Sequence, residues 1–361
     1  AGLSRRRSRV RVSYIPPFSI FKRRSFGRRF CYVRSFVDLI AGGFVRFSGK
    51  VALIANPAAK SGAGREAACR AHASLESALG AGSCDLMLTE APGHAADIAS
   101  SLDPSYRVLV VLGGDGVIHE AANGLMRRSS GDRPAMGVVP VGSGNDYAAT
   151  LGMSGKVDRA VRQILEGEAS PVDVGLVNGS YFVETLSFGL DAAIALDTVE
   201  RRKKTGRSGT VLYLESGIDQ LFHHLDALSY HAVLSGCPDV ENVVDIAGES
   251  FLFAVQLGPT YGGHFKVCPE ARLDDGLLDV CLAHPPLGVL RATGMFLMAK
   301  NGHHTRFKQI DFHRAKSIEV AFGCEPPAQM DGERLTGSTF SISTVPGALK
   351  VVHAPGVLSR A

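Results

Sequence analysis

The sequence predicts an α/β protein in which an N-terminal doubly wound domain is followed by a β-rich domain of the β-sandwich kind. Through residues 51–140, short apolar runs alternate with segments of helical spacing, which is typical of a parallel sheet covered by helices. After about residue 171, strand-like runs follow one another with few helical segments between them. The 361 residues, 45% of them apolar, are enough to build two domains.

The first domain is predicted to contain four strands. The run at 107–112 is continuously apolar, as expected of a strand buried on both faces of a parallel sheet. The predicted strands are 51–57, 84–90, 107–112 and 135–140, and the predicted helices between and after them are 64–80, 92–102 and 116–127.

The second domain begins with a hairpin signal, Asn178-Gly179, between the strand-like runs 173–177 and 181–187. Helices are predicted near 191–203 and 208–224, and further strands at 228–234, 250–257, 277–283, 316–322 and 339–344. We therefore expect domains at 51–172 and 173–355, preceded by a basic extension at 1–50 and followed by a short tail at 356–361.

Charge is distributed unevenly along the chain. Residues 1–50 contain 13 Lys or Arg and one acidic residue, Asp38, whereas the rest contains 26 basic and 34 acidic residues. The body, with a net charge of −8, is not expected to bind nucleic acid. Three interpretations of residues 1–50 stay open: a disordered extension, an organelle-targeting peptide, or an anchor for anionic lipid.

The cysteines and the apolar runs exclude two other classes of protein. The seven cysteines include no CxxC pair, so neither a disulfide framework nor a zinc site is expected, and a reducing compartment such as the cytoplasm is favoured. No apolar run reaches the ~18–20 residues that span a membrane. Any membrane contact is therefore expected to be peripheral.

The most informative motif is LGGDGVIHEAANGL at 112–125. It follows a predicted buried strand and opens a helix, so its glycines allow a sharp turn and expose backbone N–H groups beside the positive end of the helix dipole. This arrangement suits a polyphosphate. Asp115 lies inside the loop, where it would repel phosphate unless a magnesium ion lay between them.

A second glycine motif, VPVGSGNDYAATLG at 139–152, has the same context. Gly142 and Gly144 flank Ser143, whose hydroxyl can donate a hydrogen bond to phosphate, while Asn145 and Asp146 can cap the next helix. Two such loops after neighbouring parallel strands would meet at the carboxyl edge of the sheet, where ligands of these folds bind.

Both strings resemble the GGDG and G-[ST]-x-N-D motifs of the diacylglycerol kinase catalytic domain family, which includes bacterial lipid kinases, sphingosine kinases and ceramide kinases. The resemblance covers about 51–355 and includes Asn56-Pro57, PEARLDDGLLDV at 269–280 and MDGE at 330–333. It implies a nucleotide domain like that of phosphofructokinase and NAD kinase. It also implies transfer of the γ-phosphoryl group of ATP to a lipid hydroxyl, with diacylglycerol as the first expectation.

The resemblance implies roles for individual residues. The general base would be Asp331, and a magnesium-linked acidic network at the ATP site would consist of Asp115, Asp146 and Asp173. A structural magnesium would bind Asp275 and the carbonyls of Arg272 and Leu277, although this stretch is also an ordinary turn into a strand. The residues expected to bind ATP are Asn56, Thr89, Gly113, Gly114, Asp115, Gly116, Val117, Ile118, His119, Gly142, Ser143 and Asn145.

The alternatives follow from the same motifs. Family members usually carry Thr in place of Val117, and many carry Asn in place of His119, so a catalytically dead nucleotide- or lipid-binding protein stays open. A sphingoid base or another lipid could be the acceptor. An NAD kinase also uses GGDG, but PVGSGND and MDGE match the lipid kinases better. The expected partners are a lipid substrate and the membrane surface, and a homodimer is left open.

Overall fold

The computed structural model describes residues 49–207, 209–239 and 242–358, without the side chains of Lys60, Ser61 and Thr210. The predicted extension at 1–50 and the end of the predicted tail lie outside these residues, except for 49–50 and 356–358. No helix in the described part of the chain is long and apolar enough to cross a lipid bilayer.

Residues 50–166 form the first lobe. Its elements are β1 (Lys50–Ala55), α1 (Gly64–Leu79), β2 (Cys84–Leu88), α2 (His94–Ser100), β3 (Tyr106–Gly113), α3 (Asp115–Met126), β4 (Ala135–Pro140), α4 (Asp146–Thr150) and α5 (Val157–Glu166). The strands are parallel in the order β2-β1-β3-β4. Every residue of β4 is buried because helices cover both faces of the sheet, which confirms the predicted doubly wound arrangement.

Residues 168–353 form the second lobe. Its elements are β5 (Glu168–Val177), β6 (Ser180–Phe182), β7 (Thr185–Gly189), α6 (Leu190–Thr205), α7 (Thr210–His223), β8 (Leu228–Ser235), β9 (Val243–Ser250), β10 (Leu252–Gln256), β11 (Leu278–Ala283), α8 (Val289–Ala299), β12 (Ile310–Ala315), β13 (Ser317–Phe322), β14 (Ala328–Met330), β15 (Glu333–Leu335) and β16 (Thr339–His353).

Two antiparallel layers pack face to face in the second lobe. One layer has the order β12-β11-β10-β7-β14-β15, and the other contains β5, β6, β16, β13, β8 and β9. Between them, the ring of Phe188 on β7 lies 4.9 Å from that of Phe322 on β13 and 4.6 Å from that of Phe340 on β16, measured between centroids. The predicted β-sandwich is confirmed.

The longest strand, β16, joins the two lobes. It pairs antiparallel with β5 from Ile342 to His353, with an irregular register between Val345 and Leu349, and its Val351 is also paired with Met136 of β4. One sheet therefore runs from the parallel strands of the first lobe into the second. The boundary that we predicted between residues 172 and 173 falls inside β5 and stays a prediction.

The hairpin at Asn178-Gly179 forms as predicted, with both residues at positive φ (46° and 90°). Its second arm, however, is not one strand over 181–187. β6 pairs with β5, whereas β7 enters the opposite sheet. The chain breaks there because the backbone N–H groups of residues 183–185 turn to the carboxylate of Asp331 instead of a neighbouring strand.

Candidate active site

The two glycine loops touch at the carboxyl edge of the parallel sheet. β3 and β4 are neighbours, and the Val141 N–H donates to Gly113 O at 2.8 Å. A Cβ atom on Gly114 would lie 3.0 Å from the Cα of Gly142, so a side chain there would separate the loops. The predicted convergence of the two motifs is therefore present in the fold.

Asn145 closes the second loop. It adopts a left-handed backbone conformation (φ 58°) and bonds Gly142 twice, since its Oδ1 accepts from the Gly142 N–H at 2.7 Å and its Nδ2 donates to Gly142 O at 3.0 Å. Its own N–H donates to Asp115 Oδ2 at 2.8 Å. The side chain thus shapes the loop, while half-buried Ser143 lies at its tip.

Asp115 and Asp146 lie side by side with Gly144 between them. A Cβ on Gly144 would approach Asp115 Oδ2 to 2.9 Å and Asp146 Oδ2 to 3.0 Å, which explains the need for glycine. Burial, and then the charge of Asp146, raises the pKa of Asp115 to about 6. The second lobe closes on Asp146, whose carboxylate accepts N–H groups from Gly263 at 2.9 Å and from His264.

Asp331, the predicted general base, is held by the fold of the second lobe. Its backbone is left-handed (φ 48°) and its side chain is 3% exposed. The carboxylate accepts three backbone N–H groups, from Val183, Glu184 and Thr185, at 2.8–3.1 Å. Its fourth partner is His119 Nδ1 at 2.9 Å, which links it to the first lobe.

His119 therefore lies at the junction of the lobes, where its ring faces Asp331. Burial opposes the charged imidazolium, but the hydrogen bond and charge of Asp331 outweigh it and raise the pKa of His119. On the other side of the ring, Asn123 Nδ2 lies 3.3 Å from His119 Nε2. The sequence motifs predict His119 only as a nucleotide contact.

Glu184 is a site residue that the sequence motifs did not reveal. It is 4% exposed, and its Oε1 has no hydrogen-bond partner among the described residues. Burial raises its pKa well above the ordinary value, and the charges of Asp146, Asp115 and Asp331 act in the same direction. The available signal was that Glu184 is the single charged residue in the apolar stretch Tyr181–Gly189.

The other predicted nucleotide residues lie around the same edge. Asn56 and Thr89 follow β1 and β2, and the Oδ1 of Asn56 accepts the Ala58 N–H at 2.9 Å. Gly116 is exposed in the first turn of α3. Val117 and Ile118 are buried, and the Ile118 N–H donates to Gly114 O, so their side chains support the loop from beneath.

Asp173 is not brought together with Asp115 and Asp146. Its carboxylate accepts N–H groups from Gly276 at 2.6 Å and Gly347 at 2.8 Å. Burial, together with the charges of Asp275 and Asp274, raises its pKa. It therefore belongs to the turn at 272–277, which contains the other predicted magnesium residues, Arg272, Asp275 and Leu277. There, Asp275 Oδ1 accepts the Leu277 N–H at 3.1 Å.

The chemistry of the first cluster fits a magnesium ion only if the substrate supplies part of the coordination. Among the described residues, no three His, Cys, Asp or Glu side chains are arranged to hold a metal by themselves. Two close carboxylates, Asp115 and Asp146, would suit Mg²⁺ that also binds phosphate oxygens and water. Such an ion would neutralise the charge of the phosphates.

An apolar cavity lies in the second lobe, under α6, α7 and α8. Its volume is about 80 Å³, and nearly all of its lining is apolar. Residues from all three helices and from β10, β11 and β12 contribute, including Ile194, Leu221, Leu252, Ala292, Phe296 and Ile310. The titratable residues in its lining are Asp191, Tyr213, Cys281 and His304.

The segment Tyr261–Phe265 connects the carboxylate cluster to this cavity. Its Gly263 and His264 bind Asp146, whereas its Phe265 lines the cavity and stacks on Phe296 at 4.9 Å between ring centroids. The segment closes on itself through paired backbone hydrogen bonds between Tyr261 and Phe265. A ligand in the cavity would thus lie one short segment away from Asp146.

The profile of the diacylglycerol kinase catalytic domain matches residues 50–177, and that of the YegS C-terminal NAD kinase beta sandwich-like domain matches residues 184–353. A "Probable lipid kinase YegS-like" protein of Pseudomonas aeruginosa is 31% identical over 258 residues, covering 72% of this chain and 80% of that protein. The chain belongs to the diacylglycerol kinase-like family of lipid kinases.

The chain is also similar to a second curated protein and, in its fold, to a solved structure. A "Diacylglycerol kinase" of Staphylococcus saprophyticus is 28% identical over 246 residues, which is 68% of this chain and 76% of that protein. The crystal structure of a diacylglycerol kinase from Bacillus anthracis has the same fold, with a TM-score of 0.65 at 22% identity over 86% of this chain and 98% of that one. As a kinase of this family, the enzyme uses ATP as its phosphoryl donor.

Proposed function

We propose that this lipid kinase transfers the γ-phosphoryl group of ATP to the hydroxyl of a diacylglycerol, which gives phosphatidic acid and ADP. The observation that carries the proposal is the segment 261–265, which contacts Asp146 with its backbone and the apolar cavity with Phe265. A phosphate-binding edge and an apolar pocket that share one segment suit a substrate with a polar hydroxyl and hydrocarbon chains.

In this proposal the two lobes have separate tasks. The domain at 51–172 binds ATP. The N–H groups of Gly114, Gly116, Ser143 and Gly144 would surround its phosphates, since those of Gly142 and Asn145 are bonded within the protein, and Mg²⁺ would lie beside Asp115 and Asp146. The domain at 173–355 binds the lipid, with its chains in the cavity. Positioning and charge neutralisation account for most of the catalysis in phosphoryl transfer.

The proposed base is Asp331, acting together with His119. The lipid oxygen forms a bond to the γ-phosphorus, the bond from that phosphorus to the β–γ bridging oxygen breaks, and ADP leaves with the electron pair. The hydroxyl proton goes to the His119–Asp331 pair. His119 is the partner that can give way, because the other three hydrogen bonds to Asp331 come from the backbone.

The test is transfer of labelled γ-phosphate from Mg-ATP to diacylglycerol, a sphingoid base and ceramide in mixed micelles, with the products separated by thin-layer chromatography. We expect labelled phosphatidic acid. Label in another phospholipid would replace diacylglycerol as the acceptor, and no labelled lipid with ATP still bound would contradict the proposed function.

A further inference from the structure

The outer surfaces of α7 and α8 carry large apolar side chains that face away from the protein. Five of the eight exposed large apolar residues in the described part of the chain lie on these two helices. They are Val211 (62% exposed), Ile218 (41%), Phe222 (54%), Leu290 (83%) and Leu297 (48%). We call these five residues the α7/α8 face.

The spacing places these residues on one side of each helix. At 100° per residue, positions 211, 218 and 222 fall within about 40° of one another, and positions 290 and 297 within about 20°. Other sides of each helix are buried, through Leu212, Ser216 and Leu221 on α7 and Ala292, Met295 and Ala299 on α8. The α7/α8 face is therefore a second apolar stripe, separate from the residues of each helix that are buried in the protein.

The same two helices roof the apolar cavity. Leu221 of α7 and Ala292, Met295 and Phe296 of α8 line it. The helices approach closely, because a Cβ on Gly217 would collide with the ring of Phe296. Lipid chains that enter the cavity from a bilayer would meet this roof first.

A basic cluster precedes the face. Arg202, Lys203 and Lys204 are exposed in the last turn of α6, just before α7 begins, and none of them forms an ion pair with another described residue. Arg201 and Arg207, by contrast, are paired with carboxylates on α7, Asp219 and Glu215. Three unpaired cations beside exposed apolar side chains complement anionic headgroups above acyl chains.

We propose that the α7/α8 face, with Arg202, Lys203 and Lys204, docks the kinase on an anionic lipid bilayer and places the cavity at the membrane surface. This rests on the proposed lipid substrate. A second copy is a poorer occupant, because the α7/α8 face presents apolar side chains to a copy of itself and supplies no anionic partner for Arg202, Lys203 and Lys204. The chain's own residues 1–48 are also basic and would be repelled.

Fluorescence offers a direct test because the chain has no tryptophan. Phe222→Trp in the full chain reports on the face, and Val243→Trp, at a position 54% exposed on β9, is the matched control. With vesicles of phosphatidylglycerol and phosphatidylcholine, we expect a blue shift of the Phe222→Trp emission and quenching by brominated acyl chains, with neither effect for Val243→Trp.

Charge reversal gives an independent test by vesicle co-sedimentation. Lys203→Glu/Lys204→Glu should weaken binding to these vesicles about tenfold or more. The same change on exposed α5 residues, Arg159→Glu/Arg162→Glu, should have much less effect. Comparison within the full chain cancels the contribution of its basic first residues.

Several outcomes would overturn the proposal. They are no binding to the vesicles, binding without a change in the Phe222→Trp emission, equal effects in the two charge reversals, or a blue shift that depends on protein concentration without vesicles, which would indicate a second copy. The vesicles contain neither ATP nor diacylglycerol, so a kinase assay that fails leaves this test unaffected.

Discussion

The two lobes hold their carboxylates in different ways. In the first lobe, Asp115 and Asp146 are crowded together, and the pKa of Asp115 is raised to about 6 by burial and by the charge of its neighbour. In the second lobe, Asp331 is surrounded by three backbone N–H groups and His119. The crowding of Asp115 and Asp146 lowers the stability of the protein without a ligand, whereas the hydrogen bonds of Asp331 raise it. This comparison leads to four predictions.

Asp331→Asn should have the largest combined effect. The amide cannot accept from all four donors, so we expect the free energy of unfolding to fall by about 2–4 kcal/mol. Turnover should fall by about 10²–10⁴-fold if the residue is also the base. Urea denaturation and the labelled-phosphate assay measure the two effects. Exposed Glu333→Gln is the control, and an unchanged free energy would show that the hydrogen bonds are not needed for stability.

Asp115→Asn should separate activity from stability. Turnover should fall by about 10³-fold if Asp115 holds the proposed Mg²⁺, since the amide would not supply the charge of that ligand. The pKa of Asp115 is higher in the folded protein than in the unfolded chain, so the wild type loses stability as the pH rises from about 4 to about 6. The variant does not, and at pH 7 it should be more stable than wild type by up to about 3 kcal/mol. Denaturation curves of both proteins at pH 4 and pH 7 measure this difference in the free energy of unfolding. A difference that does not grow with pH would contradict the prediction.

His119→Asn tests the contact between the lobes. The raised pKa of His119 means that its charged form contributes stability below about pH 6.5, and that this contribution is lost as the pH rises through the folded pKa. We therefore expect the variant to be destabilised by about 1–3 kcal/mol at pH 6 and by less at pH 9. An equal loss at both pH values would mean that packing, and not charge, explains the effect.

Filling the apolar cavity should have the smallest effect. Ala292→Leu places three more carbons in the cavity, and we expect the KM for diacylglycerol to rise about tenfold while the KM for ATP stays the same. Ala160→Leu, at a buried position of α5 away from the cavity, is the matched control for overpacking. Equal changes in KM for both variants would show that the cavity is not part of the lipid site.

The part of the site in the first lobe could be predicted from sequence, because its residues come from two short contiguous segments. Gly113–His119 and Gly142–Asp146 each follow a strand, so their meeting could be inferred from the parallel sheet alone. The second-lobe side brings Glu184, Gly263 and Asp331 together from distant parts of the chain, and only pairing in the sandwich sets that proximity. Glu184 was therefore missed and Asp173 was assigned to the wrong group. β9 was missed because Asp245, Gly248 and Glu249 interrupt its apolar residues.

The split of the strand at residues 183–185 shows the same limit. Val183, Glu184 and Thr185 have ordinary strand propensities, and nothing local marks them as the backbone donors of a carboxylate almost 150 residues away. Propensity describes what a segment can form, whereas Asp331 decides which partner these N–H groups take. The break between β6 and β7 could therefore be predicted only from the tertiary fold.

The most direct test of the central claim, that the phosphate-binding edge and the apolar cavity serve one reaction, is a competition for labelled γ-phosphate. The full chain is given Mg-ATP with dioctanoylglycerol and NAD together. The account predicts that the label appears in the phosphorylated lipid and that Asp115→Asn abolishes it. Label in NADP, or transfer that Asp115→Asn leaves intact, would contradict it.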